Sequence, residues 1–308
     1  MNASKVTIIL ATYNRAHLIA ETLFSIQQQS YENFECLIID DGGTDNTLKV
    51  IAPFLQDKRF LYHKRTEGYK KGLPGCRNFG LDEAKGNYLI FFDDDDIVYP
   101  QNLEFCVKEL ENPDYYFCRY HRETFTGSFH CNFVAINEYK AVELNGVETV
   151  KKLITNEIPF NSCAVMWKKE CFSNNYFIES LQYAEEWELY SRVLSNGFNG
   201  VSINTTLYYG RKHPNSNTGE FWNGNKMRMQ SKIEAAKLVI SNLEAKKLLD
   251  SDLIKYFSWE SARLKSPVLF SHLMKQPSLK GAQRLKEQLR YYGSPLIRII
   301  LRIKKWLR

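Results

Sequence analysis

No stretch of the 308-residue sequence approaches the ~20 continuous apolar residues that a membrane-spanning helix needs. No secretory leader is visible either: the early apolar run "VTIILA" is too short and passes directly into the polar "TYNR". None of the seven cysteines is paired at C-x-x-C spacing, and their number is odd. That leaves neither a disulfide framework nor a zinc site, so free thiols in a reducing compartment are expected. Internal repeats and low-complexity linkers are absent. So is a Gly-rich, Lys/Arg-bearing phosphate loop behind the first strand, which a metal-dependent nucleotidyltransferase would be expected to carry. Excess positive charge is scarce over most of the chain. The net charge is +6, but residues 295–308 hold Arg298, Arg302, Lys304, Lys305 and Arg308 with no acid, leaving +1 for residues 1–294. A near-neutral body argues against a non-enzymatic nucleic-acid binder, which needs charge across its binding face.

What is present is the composition of a soluble globular protein, 44% hydrophobic and 25% charged, long enough for a sizeable core. "VTIIL", "ECLII", "RFLYHKR" and "NYLIFF" read as four buried strands. Between them, Leu18, Ile19, Leu23 and Ile26 form a helical stripe. A second helix follows Thr44 or Asp45 as its cap, and a third runs through "GCRNFGLDEAKG" and stops at Gly86. Strands alternating with helices predict a mostly parallel α/β sheet with helices on both faces, and ligands bind such sheets outside the carboxyl ends of the strands. Three of the four strands end in candidate ligand groups: "TYN", "DDGG" and "DDDD". Residues 115–145 read as irregular strands and loops, "SCAVMWKKECF" as a strand and turn, and "AEEWELYSRVLSNG" as a helix stopped by Gly197. Helical patterns dominate from Asn225 to Leu264.

The run Asp93, Asp94, Asp95, Asp96 is the most demanding feature. Like charges at a strand end repel and are partly desolvated, so something must compensate. A hard cation such as Mg²⁺ or Mn²⁺ takes oxygen ligands, often one or two carboxylates with phosphates supplying the rest. In an extended backbone Asp93 and Asp95 reach one side and Asp94 the other, toward a ribose hydroxyl. A solvated acidic loop accounts for the run as well.

"VTIILATYNR", "LIIDDGGTDNT", "GCRNFGLDEAKGNYLIFFDDDD" and "AEEWELYSRV", in this order and spacing, resemble an inverting family 2 glycosyltransferase with the GT-A fold. The match covers roughly residues 4–215. The resemblance implies that Ala11, Thr12, Tyr13 and Asp41 hold the nucleotide base, with Ala11 standing where the family more often has proline. It implies that Arg77 faces the nucleotide or its phosphates. Asp95 aligns with the metal ligand for Mn²⁺ or Mg²⁺, Asp94 with a ribose contact and Asp93 with the first acid of the D-x-D-D motif. The metal would stabilise charge on the leaving nucleoside diphosphate. Where the family has Glu-Asp before an aromatic, this chain has Glu185-Glu186-Trp187, so Glu186 is the expected general base, with Glu185 or Glu188 as fallback. Acids at a helix start also complement its dipole without any catalytic role. "YYGRKHPNSNTG" resembles the family's closing loop, through which His213 or Arg211 reaches the metal or diphosphate.

The implied organisation is a catalytic domain over residues 1–220, a helical extension over 221–294 and a basic amphipathic helix over 295–308. In that last segment Pro295 stands near the helix start; Ile299, Ile300, Ile303, Trp306 and Leu307 form one face and Arg298, Arg302, Lys305 and Arg308 another. Such a helix suits an anionic membrane surface, or docking on the body or a partner protein. The expected activity is transfer of a sugar, most simply from a UDP-sugar, to a hydroxyl of a glycan or lipid-linked acceptor in surface polysaccharide assembly. The expected location is the cytoplasmic face of a membrane.

Overall fold

A computed structural model describes residues 4–130, 133–213 and 217–306, with side chains described as far as Gly293. The chain divides into two compact units, Met1–Glu220 and Phe221–Arg308. The first begins as an alternation of β1 (Val6–Thr12), α1 (Ile19–Gln27), β2 (Phe34–Asp40), α2 (Thr47–Ile51), β3 (Phe60–Lys64), α3 (Leu73–Glu83) and β4 (Tyr88–Asp93). The four strands are parallel in the order β3-β2-β1-β4. Their near-continuous apolar runs follow from burial on both faces. Ile8, Leu10, Ile38 and Ile90 pack with Ile19, Leu23 and Ile26 of α1. Leu37 and Ile39 pack on the other side with Cys76 and Phe79 of α3. A methyl group on Gly80 would lie 2.5 Å from Ile9 Cγ2, so glycine there allows α3 to lie close against β1.

The second half adds β5 (Ile97–Val98), α4 (Asn102–Leu110), β6 (Phe117–Phe125), β7 (Ala141–Leu144), α5 (Gly146–Ile154), β8 (Val165–Lys168), α6 (Glu185–Leu194) and β9 (Gly200–Arg211). The complete sheet has nine strands, ordered β3-β2-β1-β4-β8-β6-β9-β5, with β7 also on β9. Here it is mixed: β8 runs antiparallel to β4 and β6, while β6 and β9 are parallel. The supposedly irregular 115–145 stretch holds β6, whose Cys118 and Tyr120 enter the main core while the polar residues alternate with them. Helix α2 starts at Thr47, whose N–H is accepted by Asp45 Oδ1 at 2.9 Å.

Helix α7 (Asn217–Trp222) carries the chain into the second unit, which holds α8 (Lys226–Ala245), α9 (Ser251–Arg263), α10 (Pro267–Met274) and α11 (Gly281–Trp306). Asn225, Asp250 and Ser266 cap α8, α9 and α10 with their side-chain oxygens. Pro295 does not begin a helix, as its position in the sequence suggested; α11 starts at Gly281 and continues through it. Proline has the helical φ and deprives only the Tyr291 carbonyl of its N–H partner. The turns before it are held by packing, with the Tyr291 ring stacked on Phe270 at 3.9 Å. The side chains of residues 295–308, on which the two expected faces rest, lie outside the described residues. Among the described residues no helix is long and apolar enough to cross a membrane.

Candidate active site

The parallel register brings the strand ends level. Ala11 lies between Ile39 and Asp93, and Thr12 lies opposite Asp40. Ala11 packs against the Leu37–Ile39 side of the core, and Thr12 is buried, its carbonyl accepting the Asp41 N–H at 3.0 Å. Asp40 is spent on the turn, accepting the N–H groups of Gly42 and Gly43 at 3.0 and 2.7 Å and the Tyr62 hydroxyl at 2.7 Å. Asp41 is held on both oxygens, by Arg65 Nε at 2.5 Å and Gly72 N–H at 2.9 Å. A carboxylate has further lone-pair capacity beyond two such bonds. Tyr13 beside it is 45% exposed, with Lys71 Nζ 4.5 Å from its ring centre. A part-open ring and an oriented carboxylate on adjacent strand ends suit a flat, N–H-bearing ligand.

The four aspartates at the end of β4 meet cationic groups from several elements, Asp94 and Asp95 sharing Arg15. The Asp93 N–H donates to the Tyr208 hydroxyl at 3.1 Å, and its carboxylate lies 3.3 Å from Arg77. Asp94 lies 3.4 Å from Arg15. Asp95 Oδ2 lies 3.0 Å from His213 Nε2 and 3.9 Å from Arg15. Asp96 accepts the Arg211 N–H at 2.6 Å and lies 3.7 Å from Arg122. The compensation is incomplete: burial pushes Asp94 up to about 7 and Asp96 up to about 8, with the neighbouring aspartates adding to both shifts. Arg211 itself is tied down, donating to the Asp95 carbonyl at 2.9 Å and pairing with Glu21.

This surplus of carboxylate over cation suits a divalent ion. Asp93, Asp96 and Cys163 can bring ligand atoms within 4.8 Å of one another. Burial raises the Cys163 thiol well above its ordinary value, so its sulfur stays neutral, a poor partner for a hard cation. Asp96 is already hydrogen-bonded. Asp95, with His213 against it, offers the oxygen and imidazole donors that Mn²⁺ accepts.

The third element is the start of α6. Ala184 precedes it in the left-handed region, at φ 64°. Glu185 is buried and lies 3.5 Å from Arg77; Glu186 is 29% exposed and lies 3.9 Å from the same guanidinium. Burial, with Glu186 adding to it, pushes Glu185 up to about 8, so near neutrality it holds a proton beside Glu186. Glu188 is taken up by Arg192 at 2.9 Å. Arg77, expected to face the nucleotide, is 2% exposed and turns its guanidinium onto Asp93, Glu185, Glu186 and the Ser162 hydroxyl, the last at 2.9 Å. Sequence reasoning did not assign Arg15, Arg65, Lys71, Asp96 or Arg122. Arg65 had a signal, since it stands at the end of the one strand left without a ligand.

A mixed, mostly parallel sheet with flanking helices and a helical C-terminal region is the architecture of a GT-A glycosyltransferase. The family model described as glycosyl transferase family 2 matches residues 7–167, and the chain belongs to that family. An uncharacterized glycosyltransferase of Rickettsia conorii is 30% identical over 209 residues, 65% of this chain and 32% of its own length. The chain thus spans about a third of the first curated relatives it matches. Glycosyltransferase GlyG of Streptococcus pneumoniae is 26% identical over 222 residues, 68% of this chain and 72% of its own. Among solved structures, Staphylococcus aureus TarS 1-349 in complex with UDP superposes with a TM-score of 0.66 at 18% identity, over 89% of this chain and 81% of that one. A mannosyltransferase from Pyrobaculum calidifontis in complex with GDP-Man and Mn²⁺ gives 0.58 at 17% identity, over 95% and 80%.

Proposed function

We propose that this glycosyltransferase moves a sugar from a UDP-sugar to a hydroxyl of a lipid-linked glycan, inverting the anomeric carbon. The observation that carries the reading is the single guanidinium of Arg77 lying 3.3 Å from Asp93 and 3.9 Å from Glu186. The acidic turn that would meet the diphosphate and the carboxylate that would meet the acceptor are thus within one side chain's reach. Tyr13 stacks on the uracil, Asp41 accepts its ring N–H, and Asp94 accepts from a ribose hydroxyl. Ala11 and Thr12 form the backbone floor under the base. Asp95 and His213 hold Mn²⁺ or Mg²⁺. When bound, the ion neutralises charge on the departing diphosphate. Glu186, partly exposed to solvent, removes the proton of the attacking hydroxyl, and Glu185 keeps its own proton against it.

The donor and acceptor classes draw support from relatives that match shorter stretches. One, from Escherichia coli, is named UDP-Glc:alpha-D-GlcNAc-diphosphoundecaprenol beta-1,3-glucosyltransferase and is 37% identical over 105 residues, 34% of this chain and 40% of its own. The test is release of nucleotide from a panel of UDP-, GDP- and TDP-sugars with Mn²⁺ or Mg²⁺, with and without chelator. Metal-dependent UDP release from one member is expected. Release from GDP-sugars alone, or release indifferent to chelator, would overturn the donor or the metal assignment respectively.

A further inference from the structure

Helix α11 carries an apolar stripe that the fold leaves outside. Leu285, Leu289 and Tyr292, spaced i, i+4, i+7, are 58%, 68% and 72% exposed. They lie on one face of the helix. The opposite face is the packed one: Glu287 is buried and paired with Arg290, and Tyr291 stacks on Phe270. Nothing in the described second unit therefore requires three large apolar groups on the outer face, and isolated exposure is not what is seen.

Charge flanks the stripe. Arg284 and Lys286, both exposed, stand on its two sides. Over Gly281–Trp306 the sequence holds seven basic residues and one acid, the inward Glu287. The apolar spacing continues in the sequence at Leu296, Ile299, Ile300 and Ile303. The flanking basics recur at Arg302 and Lys304, about five turns on at 3.6 residues per turn.

We infer that the outer face of α11 that carries Leu285, Leu289 and Tyr292 is a docking surface for an anionic lipid bilayer, along which the helix lies parallel to the membrane plane. The inference deepens the proposed function, since it supplies the surface on which a lipid-linked acceptor resides, and it moves the anchor from a free tail onto the folded second unit. An apolar stripe between two basic rows is the pattern of an interfacial helix. A second copy of the helix would also match the 3-and-4 apolar spacing. It would, however, bring the basic rows beside the stripe against like charges with no acid on that face to answer them.

The test uses the 308-residue chain in flotation with vesicles of phosphatidylcholine alone or with roughly 30 mol% phosphatidylglycerol, enough anionic lipid to attract basic segments. The chain should float with the anionic vesicles only, and less so at high salt. Leu285→Glu/Leu289→Glu should weaken binding by at least about 100-fold, each leucine being worth about tenfold when buried. Arg284→Gln/Lys286→Gln should reduce the salt dependence. Circular dichroism and nucleotide release from the donor should be unchanged in both variants, because these residues are exposed and belong to the second unit. Parental flotation of the leucine variant would overturn the surface. So would a self-associating parent, by light scattering, that the variant converts to monomer without any change in flotation. Loss of donor hydrolysis in the parent itself would count against the catalytic reading and leave the docking result standing.

Discussion

Replacing Arg77 with methionine is the sharpest test of how the site is held together. Methionine keeps an unbranched chain against Phe91 and Phe177, whose rings lie 5.7 and 5.4 Å from the guanidinium carbon, and deletes only the charge and its donors. When ionised, each of the three carboxylates at 3.3, 3.5 and 3.9 Å gains about 4–5 kcal/mol from the cation at an effective dielectric near 20. Desolvation of the buried guanidinium offsets much of this. Removing one partner of a buried charge cluster leaves a net loss of about 3–5 kcal/mol, a large share of a domain's roughly 5–15 kcal/mol. The loss must depend on pH. Burial already raises Glu185 to about 8, and removing Arg77 raises it further. The full penalty therefore applies above that range, where the acids are ionised, and it shrinks as pH falls and protons take the place of the guanidinium. Urea unfolding of parent and variant at pH 5.5 and 8.5 measures the difference. Equal destabilisation at both pH values would show that Arg77 acts by packing alone and would refute the reasoning.

Glu186→Gln should retain UDP affinity by calorimetry while turnover falls at least ~10²-fold, the usual scale for a lost proton acceptor; parental turnover would move the base elsewhere. Asp95→Asn should abolish the Mn²⁺ dependence of UDP binding, and an unchanged metal titration would remove Asp95 from the metal's ligands. Glu185→Gln should flatten the pH dependence of thermal stability. In the parent the folded state binds a proton at Glu185 up to about pH 8 that the unfolded state releases near its ordinary value, so stability falls as pH rises between the two. A variant with the parental slope would show that Glu185 does not hold that proton.

Much of the nucleotide half was legible because its signals are local. A buried parallel strand is a short apolar run, and its carboxyl end is where the run breaks, so "TYN", "DDGG" and "DDDD" marked three adjacent strand ends without any pairing information. The aspartates' partners were not legible, because they arrive from afar: the Arg211 N–H on Asp96 lies 115 positions away. The burial of Arg77 was not legible for the same reason. Its neighbours in sequence suggest an open helix start; its neighbours in space, on β4 and α6, make it an interior cation. The β6–β9 pairing joins residues far apart in the chain, as Phe117 with Gly200, and no periodicity encodes which distant strand a strand will meet. The proline at 295 was given too much weight as a boundary: its fixed φ is a helical one, and α11 runs through it.

The sequence "AEEWELY" shows how two identical residues come to differ. Both glutamates stand in the first turn of α6, where the helix dipole favours negative charge on either. If the dipole decided the outcome, both would be ionised and neither would be distinguished. Depth decides instead. Glu185 is enclosed and its charged form is penalised by more than the dipole and Arg77 together return, while Glu186 retains contact with water. The residue that keeps its proton is the enclosed one, and the residue in contact with water is Glu186. The family-typical aspartate at this second position would do the same with a shorter arm.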